Sequence, residues 1–343
     1  FILGHFPVNV ELIINATAHG VDIALLHDKV LVELHREQIN HQYAVGDIYL
    51  GRVRKLIPHL NAAFVDVGYE KDAFLHYLDL GPQFPSLQKF TKDVMRGKQN
   101  VSSLQYFKLE DELKKDGKID ALLSSSQHVL VQVAKEPISS KGPRLSSEIT
   151  LAGRYLVLAP FSGKISVSQK IKSPEEKKRL KSVMEGLLPK NFGAIVRTVA
   201  ENKTTEELQQ DLSLLLEKWD SIHKNLKGSQ GAKRILGEIN TTSSILRDLL
   251  NADFTNVHVN SAELQEEITT YVKQIAPNKD NIVKHYDGRI PIFEKYGINK
   301  QIKVLFGKKV PMNSGGYLII EHTEAMHVID VNSGNRKGAD GQE

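Results

Sequence analysis

The stretch Gly46-Asp47-Ile48-Tyr49-Leu50-Gly51-Arg52-Val53-Arg54-Lys55-Leu56 is followed by Leu60-Asn61-Ala62-Ala63-Phe64-Val65-Asp66-Val67-Gly68 and by Lys71-Asp72-Ala73-Phe74-Leu75. β-Branched and aromatic residues fill each run, and glycine or a short polar turn ends it, which is the pattern of successive strands. Short strands at this spacing have the cadence of a five-stranded OB barrel. A later run, residues 129–134, followed by Lys141-Gly142, would close it. Barrels of this type bind single-stranded nucleic acid by stacking bases on exposed aromatic rings and tracking phosphates with Lys and Arg. Phe64 and Phe74 are the candidate platforms, and Arg52, Arg54, Lys55, Lys71 and Lys141 the candidate phosphate contacts. Each Phe is also a candidate for the barrel core, and the pattern alone leaves both readings open.

Downstream of these strands, residues 81–127 form a long polar insertion. It exceeds an ordinary loop and reads by default as a solvated insertion without function, otherwise as a mobile excursion or a lid over the nucleic-acid face, with residues 108–118 as a short exposed helix. Leu151-Ala152-Gly153-Arg154-Tyr155-Leu156-Val157-Leu158 and residues 164–168 read as strands. Ser173-Pro174-Glu175-Glu176 starts a helix, with an N-cap, a proline at the first helical position and an acid three residues on. Its buried face is Leu180, Val183, Met184 and Leu187. The strand Gly193-Ala194-Ile195-Val196 runs into Arg197-Thr198. Thr204 and Glu207 then cap a helix whose stripe of Leu208, Leu212, Leu215, Trp219, Ile222 and Leu226 repeats at four and three. Trp219 belongs to that stripe and reads as packing.

Upstream of the barrel, residues 10–16, 21–27 and 29–37 read as a meander, the third strand turning Val30, Val32 and Leu34 to the core. A meander this small needs a partner later in the chain. From Ser229 the chain reads as a Gly/Ser/Lys linker with a short apolar run at Ile235-Leu236. A helix over 242–251, a strand over 256–259 and a helix capped by Asn260 and Glu263 follow, and this alternation would complete the meander as a mixed α/β unit. The last strand pair is Ser314-Gly315-Gly316-Tyr317-Leu318-Ile319-Ile320-Glu321 and Met326-His327-Val328-Ile329-Asp330-Val331-Asn332, joined by His322-Thr323-Glu324-Ala325. Asp330 and Asn332, two apart, share one face of their strand. A carboxylate there suits Mg²⁺, a hard oxygen-seeking cation, and equally suits a plain turn cap.

At 343 residues the chain has room for two or three domains. The net charge is only +4, so affinity for nucleic acid must come from local patches. The absence of cysteine excludes disulfides, a cysteine nucleophile and thiolate zinc sites within these residues, and it fits a cytoplasmic location. No apolar run reaches the length of a membrane span, and the start lacks the form of a signal peptide. The start at Phe1 is expected to include processed or foreign residues over 1–8, and residues 337–343 are expected to mark a truncated end. There is no internal repeat, Walker loop, dinucleotide fingerprint or nucleophile elbow.

As an ordered set, residues 46–51, Asn61 to Gly68 with Phe74-Leu75, Lys141-Gly142, Leu151 to Leu158, Ile195-Val196-Arg197-Thr198, and Gly315 to Asn332 resemble the ribonuclease E/G family of bacterial endoribonucleases. Order and spacing match over essentially the whole chain, with the family's G branch the nearer. The resemblance implies an α/β and β multidomain fold. An RNase H-like domain would be split between 1–42 and 243–306. An OB-fold barrel of the ribosomal S-one type would occupy 43–147 with its insertion at about 81–127, a 5′-sensor domain 148–242, and the start of a DNase I-like catalytic domain 307–343.

The resemblance also implies roles. Asp330 would be one of two catalytic aspartates that bind Mg²⁺, with Asn332 in support. Phe64, Phe74 and Lys141 would contact RNA, and Gly153, Val157, Arg197 and Thr198 would read a 5′-monophosphate. The second aspartate, and the cysteines through which protomers share zinc, would lie beyond residue 343. The implied whole is a cytoplasmic homo-oligomer, dimer or tetramer, with single-stranded RNA and no membrane as its partner. Its activity would be Mg²⁺-dependent endonucleolytic cleavage in RNA processing, including ribosomal RNA precursors, and in decay. The alternative is a non-catalytic RNA-binding protein that uses the barrel alone, the behaviour expected of these residues by themselves. A DNA-directed phosphodiesterase is a third and weaker reading.

Overall fold

Alternating apolar side chains over β1 (Val10–Thr17), β2 (Gly20–His27) and β3 (Val30–Gln38) give an antiparallel meander. Its second turn places Asp28 and Lys29 at positive φ, as a two-residue hairpin demands. The computed structural model describes residues 9–38, 43–138, 141–237, 241–249, 254–312, 315–322 and 326–334. The start over 1–8, the tail from 335 and residues 314 and 323–325 of the last strand pair lie outside them. The chain divides into two compact units, 1–39 with 249–343, and 40–248. The third strand departs from expectation: Leu31 is buried, while Val30 and Val32 are 59% and 47% exposed. Leu34 does pack on the core, because the register shift between Leu25 and Leu26 leaves Val32 as an extra residue and lets Leu31 and Leu34, three apart, both face inward on this edge strand.

The second unit opens with β4 (Ile48–Ile57), β5 (Ala62–Asp66) and β6 (Ala73–His76), then α1 (Phe84–Met95), β7 (His128–Lys135) and β8 (Arg144–Ser146). The five strands pair in the order β4-β5-β6-β8-β7, and β7 pairs back to β4, so the barrel is closed. All pairings are antiparallel except β6 with β8, which matches an OB barrel. Tyr49, Val53, Ala63, Val65, Leu75, Val129 and Val131 fill its interior. Gly51 is required where the wall is tightest, since a Cβ there would meet Val65 Cγ1 at 2.5 Å.

The insertion is neither an excursion nor a lid. Its helix is α1 rather than 108–118, which holds no helix. Leu87, Phe90 and Val94 of α1 are buried, and Leu104 and Ile119 further along are buried too. The polar composition hid an apolar stripe at helical spacing.

A four-stranded sheet follows, β9 (Leu151–Ala152), β10 (Leu156–Pro160), β11 (Ile165–Val167) and β12 (Phe192–Val196), in the order β11-β12-β10-β9. The helix α2 (Pro174–Leu187) is capped by Ser173, whose Oγ accepts from Glu176 N. The helix α3 (Thr205–Leu226) begins with a full capping box between Thr204 and Glu207. Trp219 is 1% exposed and packs with Phe90, Phe161 and Phe192, in one core with Ile48, Leu50 and Leu130 of the barrel wall. The expected linker contains a strand, β13 (Lys233–Leu236), that adds to β4. Arg234 is drawn there by Asp47, 2.9 Å away and fully buried. The helix α4 (Thr241–Leu249) follows.

Back in the first unit, β14 (Phe254–Val259), α5 (Ala262–Ile275) and β15 (Val283–His285) form a parallel crossover. The sheet order is β15-β14-β1-β2-β3, with β14 parallel to β1. The cap of α5 is Ser261, not Asn260, whose side chain instead accepts from Ala16 N at 2.6 Å and so joins two parallel strand ends. Two short helices, α6 (Ile292–Lys295) and α7 (Ile298–Leu305), pack on Ile13, Ala24, Leu26 and Leu31. A three-stranded antiparallel sheet, β16 (Lys309–Pro311), β17 (Tyr317–His322) and β18 (His327–Asn332), ends the described chain. Among the described residues no helix is long and apolar enough to cross a membrane.

Candidate nucleic-acid interface

Strand alternation decides the fate of the two candidate rings. Val65, Ala63, Ala73 and Leu75 point into the barrel, so Phe64 and Phe74 point out. They are cross-strand partners, half-buried, with centroids 6.1 Å apart and planes at 69°. His76, two residues on, continues the surface at 6.5 Å from Phe74. Lys141 lies on the loop that hugs this edge: Phe74 N donates to Pro143 O at 2.9 Å, and a Cβ on Gly142 would run into the Asp72 carbonyl. Lys55 stands opposite Phe64, and Arg52, Lys55, Lys71 and Lys141 are all exposed. Arg54 differs, being held by Asp66 at 2.7 Å. The structure therefore brings Phe64, Phe74 and Lys141 onto one surface. His76 joins them as a further aromatic partner, which its place two residues after Phe74 on the same strand could have signalled.

Gly153, Val157, Arg197 and Thr198 also converge. Gly153 is in the β9–β10 turn, Val157 on β10, and Arg197 and Thr198 directly after β12. Arg197 N donates to Tyr155 O at 2.8 Å, and its Nη1 donates to Gly153 O at 2.9 Å. Thr198 Oγ1 lies 2.8 Å from Ser168 Oγ. Val157 pairs with Ile195, which is 46% exposed and extends the apolar wall. The turn is anchored from behind by Asp211 of α3, whose carboxylate accepts from the backbone N–H of Arg154, Tyr155 and Leu156 at 3.0, 2.9 and 2.9 Å. Burial pushes the Asp211 carboxyl up from its ordinary value, and the three N–H groups act against that rise. A Cβ on Gly153 would meet Asp211 Oδ2 at 2.6 Å, so only glycine lets the turn sit this close.

On β18, Asp330 and Asn332 are on one face, and Asn332 Nδ2 donates to Asp330 Oδ2 at 2.9 Å. Asp330 is exposed and lies opposite Ile319 of β17. Glu321 shares that face diagonally and is paired with Lys308 at 3.0 Å. The neighbouring pair β16 and β17 places Lys309 and Tyr317 on the same face, with Lys309 Nζ 3.7 Å from the Tyr317 ring centroid.

The chain matches the model of the Ribonuclease E/G family over residues 150–343. It belongs to the ribonuclease E/G family. It is 35% identical over 324 residues to a protein named ribonuclease G from Salmonella typhimurium, covering 94% of this chain and 62% of that protein. It is 36% identical to a ribonuclease G from Haemophilus influenzae, over 95% of this chain and 62% of the relative. A ribonuclease E from a Nostoc species is 34% identical over 94% of this chain and 43% of its own length. The chain thus spans just over three fifths of the ribonuclease G relatives that it matches.

Among the described residues of this ribonuclease E/G chain, no three His, Asp or Glu side chains form a metal cluster. Magnesium keeps several waters and takes one or two carboxylates alongside substrate phosphates. One exposed carboxylate, with one oxygen steadied by an amide and the other open, fits part of such a donor set. Asp211 and Ser168, by contrast, were not visible as neighbours of these residues, because Asp211 meets the β9–β10 turn only when α3 packs on it, and Ser168 meets Thr198 only when β11 pairs with β12.

Proposed function

We propose that the full-length protein is a Mg²⁺-dependent endoribonuclease that cleaves single-stranded RNA and prefers 5′-monophosphorylated ends. The observation that carries this reading is the paired Phe64 and Phe74 on the outside of a closed barrel, beside Lys141, in a ribonuclease E/G chain. Aromatic side chains facing solvent on a barrel stack bases of any sequence, at about 1–3 kcal/mol per base. Lys141, Lys55 and Arg52 attract the backbone between those bases.

The strand order β3-β2-β1-β14-β15 in the first unit, with its parallel central pairing, supports the RNase H-like reading, and the β16–β18 sheet is offered as the start of a DNase I-like domain. Asp330 would hold the metal through the carboxylate oxygen that Asn332 leaves open. Bound there, Mg²⁺ supplies a Lewis acid for the scissile phosphate and acidifies a water molecule. Asn332 fixes the carboxylate rotamer, so the open oxygen keeps its direction. At the sensor, a guanidinium on Arg197 and the Thr198 hydroxyl suit a terminal phosphate dianion, which offers more acceptor oxygens and more charge than an internal diester.

The test is Asp330→Asn in the full-length protein. It should lower cleavage of single-stranded RNA by about a hundred- to a thousandfold, the scale of removing a major electrostatic stabiliser, and leave RNA affinity within about twofold. Cleavage near wild type would remove Asp330 from the site. Cleavage of single-stranded DNA of the same sequence at equal rate would favour a general phosphodiesterase.

A further inference from the structure

The outer barrel surface does not end at Phe64 and Phe74. Arg52 of β4 lies opposite Asp66 of β5 on one side and opposite His128 of β7 on the other. Phe74, Phe64, Lys55 with Arg52, and His128 therefore step across four neighbouring strands, about 14 Å at the usual strand spacing. Beyond His128 the surface dips into an open groove of about 560 Å³, walled by the last turn of α1 and by the turn entering β7.

The lining of that groove includes Lys92, Arg96, Ser124, Ser125, Ser126 and His128, and contains no carboxylate. Lys92 and Arg96 are one helical turn apart on α1 and therefore share a side. Both are exposed, and neither is paired with a carboxylate among the described residues. The serine turn is held in place: Ser126 N donates to Val53 O at 2.8 Å, Ser125 Oγ donates to Arg54 O at 3.2 Å, and Ser126 adopts φ 67°. His128 Nε2 is buried without a hydrogen-bond partner, although Gln88 anchors the same residue through its carbonyl at 2.8 Å. The groove itself is basic and lined by hydroxyl groups, with His128 at its barrel side.

We propose that this groove is a second RNA subsite, which takes backbone phosphates of the strand whose bases stack on Phe64 and Phe74. The proposal rests on the barrel being the RNA-binding face. An open, acid-free groove with two free cations recognises a phosphodiester chain by charge, and its distance from the rings means that only a longer strand reaches both. Ser126 adds a hydroxyl donor for the same oxygens, the hydroxyls of Ser124 and Ser125 being engaged by Gln127 Oε1 and Arg54 O. This assigns the structured part of the 81–127 insertion to substrate binding.

The experiment measures binding of single-stranded oligouridylates of about 4 and about 16 nucleotides, the range of one OB barrel, to the full-length protein in chelator. In Lys92→Ala/Arg96→Ala the 16-mer should bind about tenfold more weakly, and the slope of log K against log salt should shrink by about 1.4, as for two lost single-strand phosphate contacts. The 4-mer should be unaffected. Phe64→Ala/Phe74→Ala should weaken both. If the 16-mer and its salt slope are unchanged in the groove variant while the ring variant loses both ligands, the groove proposal fails and the barrel reading stands. If the wild-type protein binds neither oligonucleotide, both fail. Saturable binding of uridine monophosphate at the groove that the 16-mer does not displace would show a free-nucleotide site and overturn the proposal.

Discussion

Asp211 holds three consecutive backbone N–H groups with one carboxylate, and it is buried while doing so. A buried anion is tolerated only when hydrogen bonds replace its lost hydration, so the turn and Asp211 stabilise each other. Arg197 contributes differently, from the open side of the same turn. The two residues should therefore separate in a paired experiment. Arg197→Ala should bring the ratio of cleavage rates on 5′-monophosphate and 5′-hydroxyl RNA to about one, with little change in the denaturant midpoint. Asp211→Asn keeps one acceptor oxygen where three N–H groups need two, so it should cost roughly 2–4 kcal/mol in denaturant unfolding and lower the same ratio only in part. An unchanged ratio in Arg197→Ala would remove the sensor role. The place of Arg197 directly after an apolar strand was legible in the sequence, while the role proposed for it came from the family resemblance. Asp211 was not legible, since a single acid beside the leucine stripe of α3 reads as a solvated position until the β9–β10 turn is packed on it.

Elements were legible where the local signal and the tertiary demand agree. The Ser173 cap and the Thr204–Glu207 capping box were readable because their chemistry is contained within four residues. The α1 helix was not, because the insertion is polar on average and only its stripe, completed by Trp219 more than a hundred residues away, is apolar. The strand β13 was hidden for a similar reason, its pairing set by the buried Asp47. The loop that bears Lys141 gives a test of how much element placement matters to binding. Gly142 is pressed against the Asp72 carbonyl, so Gly142→Ala must move the loop away from β6. RNA affinity should fall about as far as in Lys141→Ala, with no loss of charge. A Gly142→Ala protein that binds RNA like wild type would show that Lys141 does not act from this position.

The two units divide the proposed work. The rings, the sensor turn and the groove all belong to 40–248, and Asp330 with Asn332 belongs to the other unit. Binding and cleavage should therefore respond to different perturbations. The net charge of the whole chain is +4, which is too small for a general polyanion field, so affinity must come from a few local cations. With Arg52, Lys55, Lys71 and Lys141 on the barrel and Lys92 and Arg96 in the groove, about four to six phosphates would be neutralised. The slope of log K against log salt should then be about −3 to −4 for a single strand. Chelation of divalent metal should leave that slope and the affinity unchanged while stopping cleavage, because the residues proposed to bind RNA use their own charges and Asp330 alone among the site residues is assigned to the metal. Restoring Mg²⁺ should restore cleavage, and Asp330→Asn should not respond to it. Loss of RNA affinity on chelation would mean instead that the metal helps to hold the strand, and the division of labour between the units would be wrong.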